Sequence, residues 1–142
     1  MIELHKIGTV TENTENWYIV RKLGDEIYSQ NFIHVPELSP SPELFARYRQ
    51  LKKLGQWNKE TFDNIYVPIF LKEMTSEQAI NHIKFLVRES KKRNIALFCF
   101  CENEIICHRS IVGGILKGYK SDIICPDEYL KYYEMYINIL DN

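Results

Sequence analysis

Long apolar runs are what this chain of 142 residues most lacks. The longest uncharged apolar stretch, Ile95 to Cys101, falls far short of the roughly 20 residues a membrane-spanning helix needs, so no membrane partner is expected. The opening residues Met1-Ile2-Glu3-Leu4-His5-Lys6 hold no apolar leader, and a cytoplasmic protein with reduced thiols is the expectation. An excess of one charge is missing too. Eighteen Lys+Arg against nineteen Asp+Glu leave a net charge of −1, so the chain as a whole does not attract nucleic acid. No internal repeat or low-complexity segment is visible, and 45% hydrophobic with 26% charged residues is the composition of one globular domain over residues 1–142.

Two signature spacings are also missing. There is no Cys-x2-Cys pair; Cys99, Cys101, Cys107 and His108 are four possible zinc ligands, but Cys99 and Cys101 share one face of an expected strand, and the loop after them would have to fold back. No metal or cofactor is therefore expected. The Cys-x5-Arg loop of cysteine-dependent phosphatases is absent as well, since seven residues separate Cys101 from Arg109 and one separates Cys107 from it.

What is present is a clear alternation of elements. Ile2 to Ile7 alternates apolar with polar residues as a strand does, and Thr9 to Asn16 is a polar loop. Trp17 to Val20 and Phe32 to Val35 are aromatic and β-branched and predict two more strands, with a short helix through Asp25 to Gln30 between them. Pro36, Pro40 and Pro42 keep the next segment out of a helix. Ser41-Pro42-Glu43 supplies a hydroxyl cap, a first-turn proline and an acid for a helix whose stripe is Leu44, Phe45, Tyr48, Leu51 and Leu54, closed by Gly55. Asn58 caps a second helix with Phe62, Ile65, Tyr66, Ile69 and Phe70 inward and Pro68 placed to kink or split it. A third starts at Thr75 or Ser76, turns Ala79, Ile80, Ile83, Leu86 and Val87 inward, and ends in Lys91-Lys92-Arg93. A strand over 95–101, a helix over 108–118, a short strand at Ile123-Ile124 and a last helix from Asp127 complete the chain. The last helix has the stripe Tyr129, Leu130, Tyr133, Tyr136, Ile137 and Leu140. This order predicts an α/β fold: a single three-layer domain with a short, mainly parallel sheet flanked by helices, Rossmann-like.

Chemistry concentrates where strand 95–101 hands over to helix 108–118. Unpaired N–H groups at the start of that helix, its dipole and the guanidinium of Arg109 make an anion site with Ser110 beside it. The same surroundings favour the thiolate of Cys107, so Cys107 and His108 are the candidate catalytic pair. Cys99 and Cys101 are the size and polarity of core strand residues, although a redox pair of Cys99 with Cys107 stays open. His34 and Glu37 could supply an acid/base pair at the same end of the sheet. Two basic runs, Arg47 to Lys53 and Arg88 to Arg93, could contact a phosphate backbone, with Tyr48 and Trp57 to stack on a base. A buried pair of Arg109 with Glu37 or Glu43 is a third, purely structural possibility.

Three blocks carry a resemblance. His34-Val35-Pro36-Glu37-Leu38-Ser39-Pro40-Ser41-Pro42-Glu43-Leu44 is similar to the run HLPELxPSxEL of the domain of unknown function 488 family, small bacterial and phage α/β proteins. Leu97-Phe98-Cys99-Phe100 through Cys107-His108-Arg109-Ser110 is similar to its LLCxExDPxxCHRS, and Gly55-Gln56-Trp57 through Phe62 and Tyr66 resembles its G-D-W-x-x-F-x-x-x-Y helix. The acid that the family carries two positions after the first cysteine is Cys101 here. The resemblance implies an α/β fold with a pocket at the Cys-His-Arg-Ser block, and it aligns Arg21 with the arginine of a family Asp-Val-Arg strand. The expected ligand-binding set is thus Arg109, Ser110, Cys99, Arg21, His34, Glu37 and Trp57, around Cys107 and His108. The expected partner is a phosphate-bearing small molecule or nucleotide, with nucleic acid as the alternative.

Overall fold

Four short parallel strands form one sheet, and the order in which they pair sets the position of everything else. The computed structural model describes residues 1–24, 28 and 30–142; the helix expected through Asp25 to Gln30 rests on residues 25–27 and 29, outside those described. Strands β1 (Ile2–Lys6), β2 (Glu15–Tyr18), β3 (Ile33–His34) and β4 (Ile95–Cys99) are ordered β1-β4-β2-β3. β4 pairs with β1 and β2 at once: Leu97 lies opposite both Leu4 and Trp17, and Phe98 opposite both His5 and Tyr18. All five of its residues are buried, which is why its sequence is apolar without alternation. The strand expected at Ile123-Ile124 is reduced to a single bridge between Ile2 and Ile123 at the outer edge of β1.

The helices are α1 (Pro42–Lys53), α2 (Lys59–Thr61), α3 (Val67–Glu73), α4 (Glu77–Glu89), α5 (His108–Gly118) and α6 (Leu130–Asp141). Their apolar faces meet one side of the sheet, where Ile95 and Leu97 pack in a cluster with Phe70, Leu86, Ile111 and Ile115. On the other side Ala96, Phe98 and Tyr18 pack with Tyr28 and Phe32, and the Tyr18 and Phe32 rings stack at 4.1 Å. The sheet is thus enclosed between a helical layer and, among the described residues, an aromatic one. No helix among those residues is long and apolar enough to cross a membrane.

Two local features of the helical layer matter for the site. The α1 helix ends in a Schellman turn: Gln56 N–H reaches Leu51 O at 2.8 Å, Gly55 N–H reaches Lys52 O at 3.1 Å, and Gly55 takes φ +70°, a conformation that glycine adopts without strain. That turn swings the chain back so that Trp57 meets Tyr48 edge-on at 4.7 Å. The second feature is the answer to Pro68. Between α2 and α3 the chain forms a π-helical turn over Phe62–Tyr66, in which Val67 N–H bonds to Phe62 O five residues back. Proline supplies no N–H, and the wider turn accommodates it without breaking the helix. The extra residue also shifts the helical phase, so Val67, Phe70 and Leu71 are buried while Ile69, expected inward, faces out.

Ser41 anchors α1 at its other end. Its Oγ accepts from Leu44 N–H at 3.1 Å, and its own N–H and hydroxyl both bond to the Glu73 carboxylate at the end of α3. Replacing Ser41 with alanine removes a cap and a tie between helices; an equilibrium urea titration should read a loss of about 1–2 kcal/mol.

Candidate functional site

At the carboxyl end of β4 the chain leaves the sheet after Cys99 and turns through residues 100–106. It then enters α5 with Cys107 as the residue just before the first turn. The first three residues of α5, His108, Arg109 and Ser110, are all buried. Because the strand stops at Cys99, Cys101 is already in the turn and folds back; the expectation that it continues the strand to residue 101 is corrected here. The Sγ atoms of Cys99, Cys101 and Cys107 consequently lie within 4.8 Å of one another, with Cys99 Sγ donating to Cys101 Sγ at 3.7 Å.

His108 closes this cluster. Its Nε2 lies 2.6 Å from the carbonyl oxygen of Ile19, a group that only accepts, so Nε2 carries the hydrogen. Nδ1 then faces sulfur, 3.8 Å from Cys99 Sγ and 3.8 Å from Cys107 Sγ. Arg109 lies beneath, 2% exposed, donating from Nε to Cys107 Sγ at 3.3 Å and from Nη2 to Cys101 O at 2.7 Å. Ser110 Oγ donates to Cys107 O at 2.8 Å and locks the first turn. Among the described residues Arg109 forms no ion pair with Glu37 or Glu43.

The electrostatics single out one sulfur. Burial by itself would raise the Cys107 pKa, but the hydrogen bonds from Cys101 and Cys99 and then the charge and hydrogen bond of His108 outweigh it, and the thiol is held well below its ordinary value. Cys101 moves the other way, pushed up by its bonds to Cys107 and Cys99 and by burial. At Cys99 the hydrogen bond to Cys101 lowers the pKa, yet the bond to Cys107 together with burial raises it overall. The sulfur whose pKa is lowered, Cys107, is thus surrounded by two thiols, an imidazole and a guanidinium. Burial opposes the charge on His108, and Cys107 more than restores it, so its pKa is raised.

A cavity of about 330 Å³ opens over this floor. Cys99, Cys101, Cys107 and His108 line its base; Phe45, Tyr48, Trp57 and Tyr66 supply aromatic walls, and Arg21, Lys22 and Lys52 bring cationic groups to it. Trp57 and Tyr66 meet edge-on at 5.3 Å. Arg21 is held by the proline-rich loop, with Nε donating to Pro40 O at 2.8 Å and Nη2 to Pro36 O at 3.1 Å.

The residues expected to form the site therefore divide. Cys99, Cys107, His108, Arg21 and Trp57 line one cavity, whereas Arg109 and Ser110 stand behind it and shape its floor. His34 and Glu37 are exposed and do not line it. His34 Nε2 is 2.7 Å from Val20 O, and among the described residues no hydrogen bond or ion pair joins it to Glu37. The expected ligand-binding set omits Cys101, weighed only as a zinc ligand or strand residue, and it also omits Tyr66, Phe45 and Lys22. Tyr66 is buried in the core, as its helical spacing predicts, and its edge also reaches the cavity wall. The two basic runs lie at opposite ends of the sheet. Tyr48 and Lys52 flank the carboxyl-end cavity, while Arg93 pairs with Glu15 at the amino end, and Arg88 and Lys92 pair with Glu89.

No curated protein and no solved structure matches the chain significantly. Residues 2–120, which include every residue that lines the cavity, match the model described as the active DUF488-N3 subclade, and on that match the chain belongs to the DUF488 family.

Proposed function

We propose that the protein binds and acts on a nucleotide-like ligand, a planar ring bearing a phosphate or similar anion, in the cavity over the thiol floor. The observation that carries this reading is the make-up of that one cavity: aromatic walls from Tyr48, Trp57 and Tyr66, cations from Arg21, Lys22 and Lys52, and a base of sulfur and imidazole. Its volume of about 330 Å³ is in the range of small-ligand sites, which pair apolar linings with a few placed polar groups. Aromatic side chains accept a planar ring on their faces, and lysine and arginine supply donors for an anion. Cys107 and His108, at the base of the cavity, would meet the reacting end of the ligand. Arg109 serves it indirectly through Cys107, and Ser110 and Cys99 hold that geometry. The subclade's description as active accords with a working site. A nucleic-acid surface spanning both basic runs has less support, since the runs lie at opposite ends of the sheet.

The test is a calorimetric and thermal-shift panel of nucleoside mono-, di- and triphosphates beside inorganic phosphate. Wild type should be stabilised by at least one nucleotide. Trp57→Ala should weaken that ligand by roughly 5- to 150-fold, because stacking on one aromatic side chain is worth about 1–3 kcal/mol. Lys52→Ala should weaken phosphate-bearing ligands and spare the bare nucleoside. A wild type that no member of the panel stabilises, or a Trp57→Ala protein with undiminished affinity, would overturn the reading.

A further inference from the structure

We propose that Cys99, Cys101, Cys107 and His108 form a binding site for one thiophilic divalent cation, with zinc the best fit. Geometry carries this. A tetrahedral zinc with bonds of about 2.3 Å to sulfur and about 2.0–2.1 Å to nitrogen sets its sulfur ligands about 3.8 Å apart and each sulfur about 3.5 Å from the nitrogen. Here Cys99 Sγ is 3.7 Å from Cys101 Sγ, and His108 Nδ1 is 3.8 Å from both Cys99 Sγ and Cys107 Sγ. All three sulfurs lie within 4.8 Å of one another. Three of the six ligand-to-ligand edges are thus near their tetrahedral values and the other two sulfur-to-sulfur edges are within 4.8 Å. Closing the sixth, from Cys101 Sγ to His108 Nδ1, requires the half-buried Cys101 to shift toward the ring, and Cys₃His is a common structural zinc set.

The surroundings suit an ion rather than three free thiols. A histidine that ligates through one ring nitrogen usually donates from the other to a carbonyl or carboxylate, which fixes the ring and its tautomer. His108 does this with Ile19 O at 2.6 Å, leaving the Nδ1 lone pair toward the sulfurs. Binding by three thiolates and a neutral imidazole leaves a net charge of −1 on a zinc centre. The buried guanidinium of Arg109, 3.3 Å from Cys107 Sγ, neutralises it. The four ligand residues line the cavity, so an ion has a way in. On binding, the thiols release their protons to solvent and no redox change occurs. This goes beyond the nucleotide reading, because the floor side chains alone hold the ion. It also makes Cys107 a ligand in the loaded form, shielded from electrophiles.

The experiment uses the reduced, metal-free full chain titrated with cobalt(II) in the absence of oxygen, then with zinc. One equivalent of cobalt should give the visible absorption of a tetrahedral centre together with a sulfur-to-cobalt charge-transfer band, and zinc should displace both. Cys101→Ser, the replacement of the half-buried ligand, should weaken cobalt binding by more than about tenfold; Cys125→Ser and Trp57→Ala should leave it unchanged. Zinc should also slow alkylation of Cys99, Cys101 and Cys107 and not of Cys125, read by mass spectrometry on wild type, which decides the matter even if a cysteine variant fails to fold. No charge-transfer band with verified free thiols, equal affinity in Cys101→Ser, or alkylation rates that zinc does not change would each overturn the site. Nucleotide binding measured on both metal-free and cobalt-loaded wild type keeps a failure here separate from a failure of the ligand reading.

Discussion

Arg109→Met is expected to lower the unfolding free energy by about 3–5 kcal/mol, the range for removing one partner of a buried charged pair. The side chain is 2% exposed, and its fork reaches both Cys107 Sγ and the Cys101 carbonyl. Methionine fills much of the volume but restores neither bond, leaving the partly buried Cys101 carbonyl without its donor and Cys107, whose pKa is lowered, without its guanidinium. Arg109→Lys keeps the charge but presents a single flexible point donor, so it should recover only part of the loss. Urea unfolding followed by circular dichroism measures all three proteins. If sulfur is the partner that matters, Cys107→Ala with Arg109→Met should cost clearly less than the sum of the single changes. An Arg109→Met protein within about 1 kcal/mol of wild type would show that the guanidinium does not organise the floor.

Gly114→Ala should cost about 4 kcal/mol or more, or abolish folding outright. In α5 a Cβ at this position would overlap the carbonyl oxygen of Tyr129 and come within 2.8 Å of its carbonyl carbon. That obstacle is backbone, fixed by the turn into α6, so the two helices would have to separate. The neighbouring Gly113 is the control. There the nearest obstacle is Leu4 Cδ1 at 2.9 Å, the far end of a flexible side chain. Gly113→Ala should come out near neutral, since the strain is offset by the roughly 1 kcal/mol that alanine gains over glycine inside a helix. Melting temperatures of the two proteins separate the outcomes; equal behaviour would mean that the close approach of α5 to Tyr129 does not constrain the fold.

Much of the fold was legible because short-range rules govern it. The cap at Ser41, the turn at Gly55, the Asn58 cap and the bounds of α5 over residues 108–118 all appear as read. The phase of a helix was less secure where its regular period breaks. The π turn moved Ile69 outward. In α6 a 3-10 turn over Asp127–Tyr129 precedes the helix, and Tyr132, absent from the expected stripe, is buried while Leu140 is exposed. Expected strands also ran long at their ends, as β4 did at Cys101.

The candidate site divides along the same line. Sequence alone located the Cys-His-Arg-Ser block at a strand-to-helix junction, because an apolar run followed by a helical stripe is a local pattern. It could not say which way each side chain points. Arg109, expected to meet a ligand, faces Cys107, since a buried guanidinium needs acceptors and the Cys107 sulfur and the Cys101 carbonyl are within its reach. Cys101, expected as strand packing, joins the other two sulfurs because β4 ends two residues sooner, at Cys99.

By itself the amino-acid sequence determined the class of fold, the order of its elements and the stretch in which reactive side chains gather, all of which follow from hydrophobic period and local capping. Only the tertiary structure decided that β4 lies between β1 and β2, that Ile19 and Arg21 arrive beside α5, and that three sulfurs and an imidazole form one floor beneath an aromatic cavity. Those contacts join residues far apart in the chain; the Ile19 carbonyl and His108 are 89 positions apart. No local propensity encodes such a distance, which is set by how the sheet pairs and which faces pack.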